Sequence, residues 1–466
     1  MRTEINPTSR PPRTPEPNRD TRESHPTRRP GRAIVASVVA GAVAALLLVL
    51  VVFPGGTEAR ITGGLLLGFG LGWALMAAWT VRRTSQPQRW AVVPAVAMGA
   101  TGLALVAIDP GNHALTVLNW VWPPVMVALT AWMFVQMRRS VTGKARWVLI
   151  PVFAALVLAS LGATYANIAG TWDQTNLAAP GKLYQVGGHR LHLDCRGHGS
   201  PTVVLSNGLG GISARWARIT GPLAETTRVC AYDRAGQGWS DDAASPRDGV
   251  QSARELHTLL AKAGEHGPYV LVGHSTGGTY AMTYAARYSE QVAGLVLLDS
   301  SSPEQFTRMP AFSGQYTMMM RPAYAFMPTL SRLGVGQLPT PSSLPAADAA
   351  KVAAITAKPK YYRSQRDEVS AIPKVFAQAQ ALTTFGDRPL AVLTASVSST
   401  GTKGWVGAQD QLAAMSANSV HRNVISTHPG LLEHLGNLRH LVAPVPGGVG
   451  VRGQCLDLVP GGVREV

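Results

Sequence analysis

Hydrophobic and polar positions follow two different patterns along this chain, and the change falls near residue 170. Before it, five long apolar stretches are separated by short polar connections: 33–53, 61–81, 90–108, 114–137 and 147–168. Each stretch is close to the ~20 residues that a helix needs to cross the core of a bilayer. The pattern therefore predicts five transmembrane helices, because the buried helices of a water-soluble protein are shorter and do not recur with such short connections.

Basic side chains are concentrated in alternate connections of this region. The segment before the first stretch and the second and fourth connections carry Arg28, Arg29, Arg32, Arg82, Arg83, Arg89, Arg138, Arg139, Lys144 and Arg146. The first and third connections hold only Arg60. Since basic loops stay on the cytoplasmic side, we expect a cytoplasmic N-terminus and an extracytoplasmic second half.

Composition adds three expectations. Residues 1–32 are rich in Pro, Arg, Thr and Glu, which predicts a disordered cytoplasmic tail. The net charge of +16 comes from arginine beside apolar stretches rather than from a basic stripe with aromatic residues, so the expected partner is a lipid bilayer and not a nucleic acid. The apolar stretches contain no Asp, Glu, Lys, Arg or His, which favours an anchor over a transporter.

From Leu183 onward, short apolar runs alternate with helical patterns and glycine-rich turns. This alternation is typical of a mostly parallel sheet with helices on both faces. The predicted strands are 183–186, 191–194, 202–205, 228–232, 270–273, 292–299, 390–394 and 421–425, with a helix over 250–263.

One turn carries a candidate nucleophile. The sequence Gly273-His274-Ser275-Thr276-Gly277 lies between a predicted strand and a predicted helix. A serine on such a tight turn projects its hydroxyl beside the N-terminus of the helix, where free N–H groups can bind an oxyanion. A serine that merely caps the helix is the alternative interpretation.

The strand order, the stretch Asp233-Arg234-x-Gly-x-Gly-x-Ser and this turn resemble the α/β-hydrolase superfamily. More narrowly, the chain resembles membrane-anchored actinobacterial members of the proline-iminopeptidase and esterase-like branch. The resemblance covers roughly residues 183–432 and implies an α/β-hydrolase domain over 171–436, with a helical lid over 303–388. It is specific for the fold rather than for the substrate.

The resemblance also implies a catalytic triad. Ser275 would be the nucleophile and His428, after the last strand, the base; His421, His434 and His440 compete for that role. Asp299 is the preferred acid, although it could instead cap a loop, and Asp410 is the alternative. The backbone N–H groups of Leu209 and Thr276 would form the oxyanion hole. Asn207 stands where many relatives have a histidine that braces this loop.

Further features follow from the same resemblance. Cys195 and Cys230 lie on strands expected to be neighbours, so we predict a disulfide, typical of an oxidising compartment. Helices are predicted in the lid over 346–356 and 367–382. Residues 437–466, which contain Cys455, predict an irregular tail in place of a closing helix.

The sequence thus predicts a membrane-anchored serine hydrolase that needs no metal or cofactor. Its small-molecule substrate would be an ester, or less favourably an amide or N-terminal peptide bond, cleaved through an acyl-serine intermediate. The alternative is a catalytically inactive α/β-hydrolase fold that serves as a binding or signalling module on a membrane base. Epoxide and haloalkane chemistry are disfavoured because relatives with those activities have an aspartate where this chain has Ser275.

Overall fold

The computed structural model describes residues 30–176, 178–242, 247–338 and 341–434. The predicted disordered tail, except for residues 30–32, lies outside these ranges. The predicted irregular tail over 437–466, with Cys455, and His440 also lie outside them.

The five apolar helices that the sequence predicts to cross a membrane come first and are called the membrane helices. In the described part of the chain, five helices are long and apolar enough to cross a membrane, as the sequence predicts. They are α1 (Pro30–Leu47, continued by a π-helical turn over Leu48–Val52), α2 (Glu58–Arg83), α3 (Val92–Ile108), α4 (Asn112–Ser140) and α5 (Arg146–Asn176). The last helix runs eight residues beyond the predicted end at 168.

Small residues allow the first three helices to pack closely. A Cβ atom added to Gly68 of α2 would lie 2.3 Å from the backbone nitrogen of Ala45 in α1. A Cβ on Gly63 would lie 2.7 Å from the carbonyl oxygen of Gly102 in α3. Larger side chains would force these backbones apart, so glycine and alanine set the distance between the helices, as is common in membranes.

The connections between the helices meet in pairs. At one end, Gln86 Nε2 donates to Thr142 Oγ1 at 2.6 Å, which joins the second and fourth connections. At the other end, Arg60 pairs with Asp109 at 3.1 Å, which joins the first and third. The two arginine-rich connections therefore share one end of the bundle.

A single sheet organises the second half. Within the described residues it has eight strands in the order β1-β2-β4-β3-β5-β6-β7-β8. The strands are β1 (Lys182–Val186), β2 (His189–Arg196), β3 (Val203–Ser206), β4 (Val229–Tyr232), β5 (Tyr269–His274), β6 (Val292–Leu298), β7 (Leu390–Ala395) and β8 (Ser419–Val424). The pairs β1–β2 and β2–β4 are antiparallel and the other pairs are parallel, which confirms the predicted mostly parallel sheet.

Helices cover both faces of this sheet. One core includes Leu259 from α7 (Gly249–Ala263) and Met282 from α8 (Thr276–Arg287). The other includes Ile219 from α6 (Ala217–Ala224), Trp216 just before that helix and Leu431 from α16 (Leu431–His434). Central strands such as β5 are buried along their whole length because both faces are covered.

At the antiparallel side of the sheet, Cys195 of β2 lies opposite Cys230 of β4. The structure joins these two residues by a disulfide bond.

An insertion between β6 and β7 contains five α-helices among the described residues. They are α9 (Gln305–Arg308), α10 (Phe312–Gln315), α11 (Arg321–Arg332), α12 (Ala346–Thr356) and α13 (Pro359–Ala379), and α14 (Ser396–Gly401) and α15 (Trp405–Ala413) follow β7. The predicted helix over 346–356 coincides with α12. The prediction of a helix over 367–382 is wrong at its start, because Pro359 already begins the first turn of α13, where a missing N–H costs nothing.

A buried carboxylate connects the membrane helices to this insertion. Glu58, at the start of α2, is only 3% exposed and pairs with Arg332 of α11 and with Arg363 of α13, the latter at 3.4 Å. The side-chain oxygen of Asn112, which begins α4, accepts from Arg332 at 3.0 Å and from Arg363 at 2.7 Å. The α/β domain is thus bound at the end of the bundle that has few arginines.

Candidate active site

Ser275 lies on a tight turn between β5 and α8, with φ 55° and ψ −129°. The flanking glycines are needed because strand and helix pass very close to each other. A Cβ on Gly273 would lie 2.5 Å from Cα of Gly278, and one on Gly277 would lie 2.2 Å from the carbonyl oxygen of Ser206. This strained backbone presents the Ser275 hydroxyl at the carboxyl end of the sheet.

Asp299 follows β6 and is fully buried. Its carboxylate accepts from the backbone N–H of Ala395 at 3.2 Å, from the indole of Trp405 at 2.8 Å, from the hydroxyl of Ser398 and from Nδ1 of His428 at 2.7 Å. Burial alone would raise the pKa of Asp299, but the hydrogen bonds from His428 and Ser398 outweigh it and hold that pKa below its usual value. The carboxylate is therefore ionised while it faces the imidazole.

His428 lies in the loop after β8, with its side chain 38% exposed. The ring of His274, the residue before Ser275, lies 4.6 Å from the His428 ring, and His274 Nε2 is 2.9 Å from the His428 carbonyl oxygen. Burial, with the neighbouring His428, lowers the pKa of His274 to about 3. His274 is thus a neutral donor that fixes the loop carrying His428 beside the serine turn.

The alternative acid is placed elsewhere. Asp410 lies on α15 with its side chain 62% exposed, and it accepts from Nδ1 of His421 at 2.9 Å. The other ring nitrogen of His421 is 2.8 Å from the hydroxyl of Thr394. The structure therefore brings Asp299, rather than Asp410, to His428.

The glycine loop after β3 approaches the serine from the other side. A Cβ on Gly208 would lie 2.7 Å from Cβ of Ser275, so only glycine fits there. The N–H of Gly210 already donates to the Glu368 carboxylate at 2.9 Å, and that of Gly211 donates to the Gly208 carbonyl at 3.0 Å. Leu209 lies between these positions, and Thr276 is the first residue of α8.

Arg234 and Glu368 hold this loop, although neither was among the predicted site residues. Arg234 is buried and donates to the carbonyl oxygens of Asn207 at 2.6 Å and Gly208 at 3.1 Å. It also pairs at 2.7 Å with Glu368 of α13. Asn207 braces the loop itself, because its side-chain amide donates to the Tyr232 carbonyl at 3.3 Å. The motif around Arg234 was a visible signal, whereas nothing in the local sequence marks Glu368.

Asp233, beside Arg234, organises the neighbouring turns. Its buried carboxylate accepts from the backbone N–H groups of Ser213 at 2.7 Å and Trp239 at 3.2 Å, and it lies 2.9 Å from Nδ1 of His192. Burial alone would raise the pKa of Asp233, yet the His192 ring and the N–H donors lower it. Burial alone would lower the pKa of His192, but Asp233 raises it. The two side chains form a buried ion pair away from the serine.

Comparisons with known proteins agree with this architecture. A family model described as the alpha/beta hydrolase fold matches residues 201–333. An uncharacterized protein of Schizosaccharomyces pombe is 35% identical over 177 residues, a match covering 31% of this chain and 33% of that protein. A putative carbamate hydrolase of Cronobacter turicensis is 33% identical over 104 residues, covering 22% of this chain and 38% of that protein. The chain thus spans only about a third of the length of these relatives.

Among solved structures, an N-acyl homoserine lactone degrading enzyme is similar at 22% identity, with a TM-score of 0.42. That match covers 54% of this chain and 95% of the other. The family match over 201–333, the strand order and the strand–turn–helix around Ser275 show that the second half of the chain has the α/β-hydrolase fold.

Proposed function

We propose that this protein is a membrane-anchored serine hydrolase that cleaves carboxylic esters. The observation that carries the proposal is the hydrogen bond between His428 and the buried Asp299, formed next to the strained turn of Ser275. An imidazole held by a buried carboxylate beside a serine on such a turn is the arrangement that nucleophilic acyl transfer requires.

In the proposed mechanism, Ser275 Oγ attacks the acyl carbon while His428 Nε2 takes the hydroxyl proton. Asp299 holds the ring through Nδ1 and stabilises its charged form. The N–H groups of Leu209 and Thr276 bind the oxyanion of the tetrahedral intermediate. As the intermediate collapses, His428 returns the proton to the leaving alcohol, and a water molecule then releases the acid from the acyl-serine by the same steps.

The proposed topology places the hydrolase domain outside the cytoplasm. It is supported by the pairing of the two arginine-rich connections at one end of the bundle and of the hydrolase domain with the other end. The disulfide between Cys195 and Cys230 suits an oxidising compartment.

Labelling with a fluorophosphonate tests the catalytic proposal. The full chain, purified in detergent, should be modified once, at Ser275, and Ser275→Ala should abolish the modification while its thermal unfolding stays unchanged. The adduct is located by mass spectrometry of peptides. If the folded wild-type protein is not modified, and hydrolyses no member of a panel of esters and aminoacyl amides, the fold serves here as a binding module.

A further inference from the structure

Helix α11 of the insertion packs directly against the membrane helices. Ala325 and Phe326 form an apolar cluster with Val49 of the first membrane helix and Ile61 of α2. The hydroxyls of Thr329 and Thr62 are 2.8 Å apart. Residues 61 and 62 belong to the second predicted transmembrane stretch, so the proposed topology puts α11 level with the outer boundary of the bilayer.

The next turn of the insertion contacts a third membrane helix. A Cβ on Gly162 of α5 would lie 2.2 Å from the carbonyl oxygen of Leu333, so only glycine allows this contact. A Cβ on Gly334 would lie 2.7 Å from the carbonyl oxygen of Gly162, and Leu338, four residues later, has 68% of its surface exposed. Met318 and Met319, just before α11, are 80% and 66% exposed. Large apolar side chains on both sides of α11 are therefore available to lipid hydrocarbon.

A cavity of about 650 Å³ opens between α11, α12 and α13. Its walls are mainly apolar and aromatic and include Tyr324, Met327, Leu338, Ala354, Tyr361 and Tyr362. The volume is within the ~300–1,000 Å³ typical of sites for small ligands.

One residue of the cavity wall also packs against the glycine loop beside the serine turn. Leu338 lines the cavity and follows Gly334, which contacts Gly162 of α5, by four residues. Gln365 lines it as well, and its Nε2 atom lies only 2.2 Å from where a Cβ on Gly210 would be. Gly208, in the same glycine loop, contacts Ser275.

We infer that this cavity binds the acyl chain of a lipid ester that enters from the outer leaflet of the bilayer. The inference rests on the proposed serine hydrolase function and specifies its substrate class. The ester carbonyl would reach Ser275, whose Oγ forms the acyl bond as the ester C–O bond breaks, and the alcohol leaves with the proton from His428. Water then releases the fatty acid, which returns to the bilayer.

Two substrates presented to the full chain in vesicles test this inference. Vesicles of ether-linked phosphatidylcholine, which contain no cleavable ester of their own, carry dioleoylglycerol as the lipid probe, and p-nitrophenyl acetate is the water-soluble probe. The wild-type protein should hydrolyse both. Ala353→Trp, on the cavity side of α12, and Leu338→Glu, at the rim, should each lower the ratio of lipid to acetate turnover at least tenfold.

Ala347→Trp is the matched control, because Ala347 lies on the same helix, is exposed and does not line the cavity. It should leave the ratio at the wild-type value. The inference is overturned if the wild-type protein cleaves acetate but not the lipid ester, or if both cavity variants keep the wild-type ratio. Failure of fluorophosphonate to label Ser275 would instead remove the hydrolase proposal itself, so the two failures are distinguishable.

Discussion

The membrane helices and the α/β domain bury very different side chains. The predicted transmembrane stretches contain no Asp, Glu, Lys, Arg or His, and contacts such as that between Gly68 and Ala45 bring their backbones together. The α/β domain instead buries carboxylates that face a cation or an imidazole: Asp233 with His192, Glu368 with Arg234, and Asp299 with His428. Glu58, three residues before the second apolar stretch, brings a buried charge to the end of the bundle.

The difference follows from the cost of removing charge from water. In hydrocarbon an ionised group has few partners, so it is kept out of the helices. In the α/β domain each carboxylate keeps several hydrogen bonds, yet a buried ion pair is weak evidence for stability on its own. The role of each buried carboxylate is therefore best judged from the loss of activity or stability when that pair is broken by substitution.

Asp299→Asn should produce the largest effect. The amide still fills the space but no longer stabilises the protonated imidazole of His428, and kcat for ester hydrolysis should fall by roughly 10⁴-fold. Asp410→Asn is the matched control, since Asp410 is exposed and pairs with His421, and its kcat should stay within about twofold of wild type, as expected of a surface pair. Similar losses in the two variants would show that the buried acid has no special role.

Glu58→Gln should have the next largest effect. It removes the carboxylate that faces the buried Arg332, whereas Arg363 keeps its pair with Asp242 at 2.8 Å, and breaking such a buried pair typically costs about 3–5 kcal/mol. We expect faster hydrogen exchange in α11 and a lower unfolding midpoint in lipid nanodiscs. Arg60→Gln breaks a more exposed pair with Asp109 at the same end of the bundle and should cost only about 0–1 kcal/mol. Unchanged exchange in α11 after Glu58→Gln would mean that apolar packing alone holds the insertion.

His192→Gln should have the smallest effect, and that effect depends on pH. The raised pKa of His192 adds stability that is fully present below the unfolded value of about 6.5 and is lost as pH rises through the folded value. Asp233, whose pKa is lowered, adds stability that disappears only as pH falls through its own folded value.

The unfolding midpoint of His192→Gln should therefore lie below that of wild type by several degrees at pH 6, at about 2–4 °C for each kcal/mol lost. This difference in unfolding midpoint should become smaller as the solution becomes alkaline. His198→Gln, at an exposed position, should have the unfolding midpoint of the wild-type protein at both pH 6 and alkaline pH. A difference in midpoint between His192→Gln and wild type that grows with rising pH would contradict the ion pair of His192 with Asp233.

The fold was predictable because local signals mark its elements. These signals are local in sequence. They are the alternation of strand and helix patterns, the glycines around Ser275 and the long apolar stretches, and each lies within or next to the element that it predicts. Asp299 was identified as a candidate from the resemblance to α/β-hydrolases, in which the acid follows one of two late strands.

Other parts of the site depend on contacts that are distant in sequence. Glu58 and Arg332 are separated by 274 positions, and Glu368 reaches the glycine loop across 158. His274, which donates to the His428 carbonyl, looked like an ordinary residue of the turn. The first two pairs depend on how the insertion folds back over the sheet and the third on the loop after β8, and no periodicity in these segments specifies either arrangement.

The contact between α11 and the membrane helices determines where this protein can be cut. The covalent boundary between the two regions lies just after α5, but a hydrolase fragment released there would expose Ala325 and Phe326 to water and would remove Glu58 from Arg332 and Arg363. Such a fragment would expose an apolar surface and lose the contacts that hold α11, which forms one wall of the cavity. Specificity measured on it would describe the fragment, so selectivity should be measured on the uncut polypeptide in lipid.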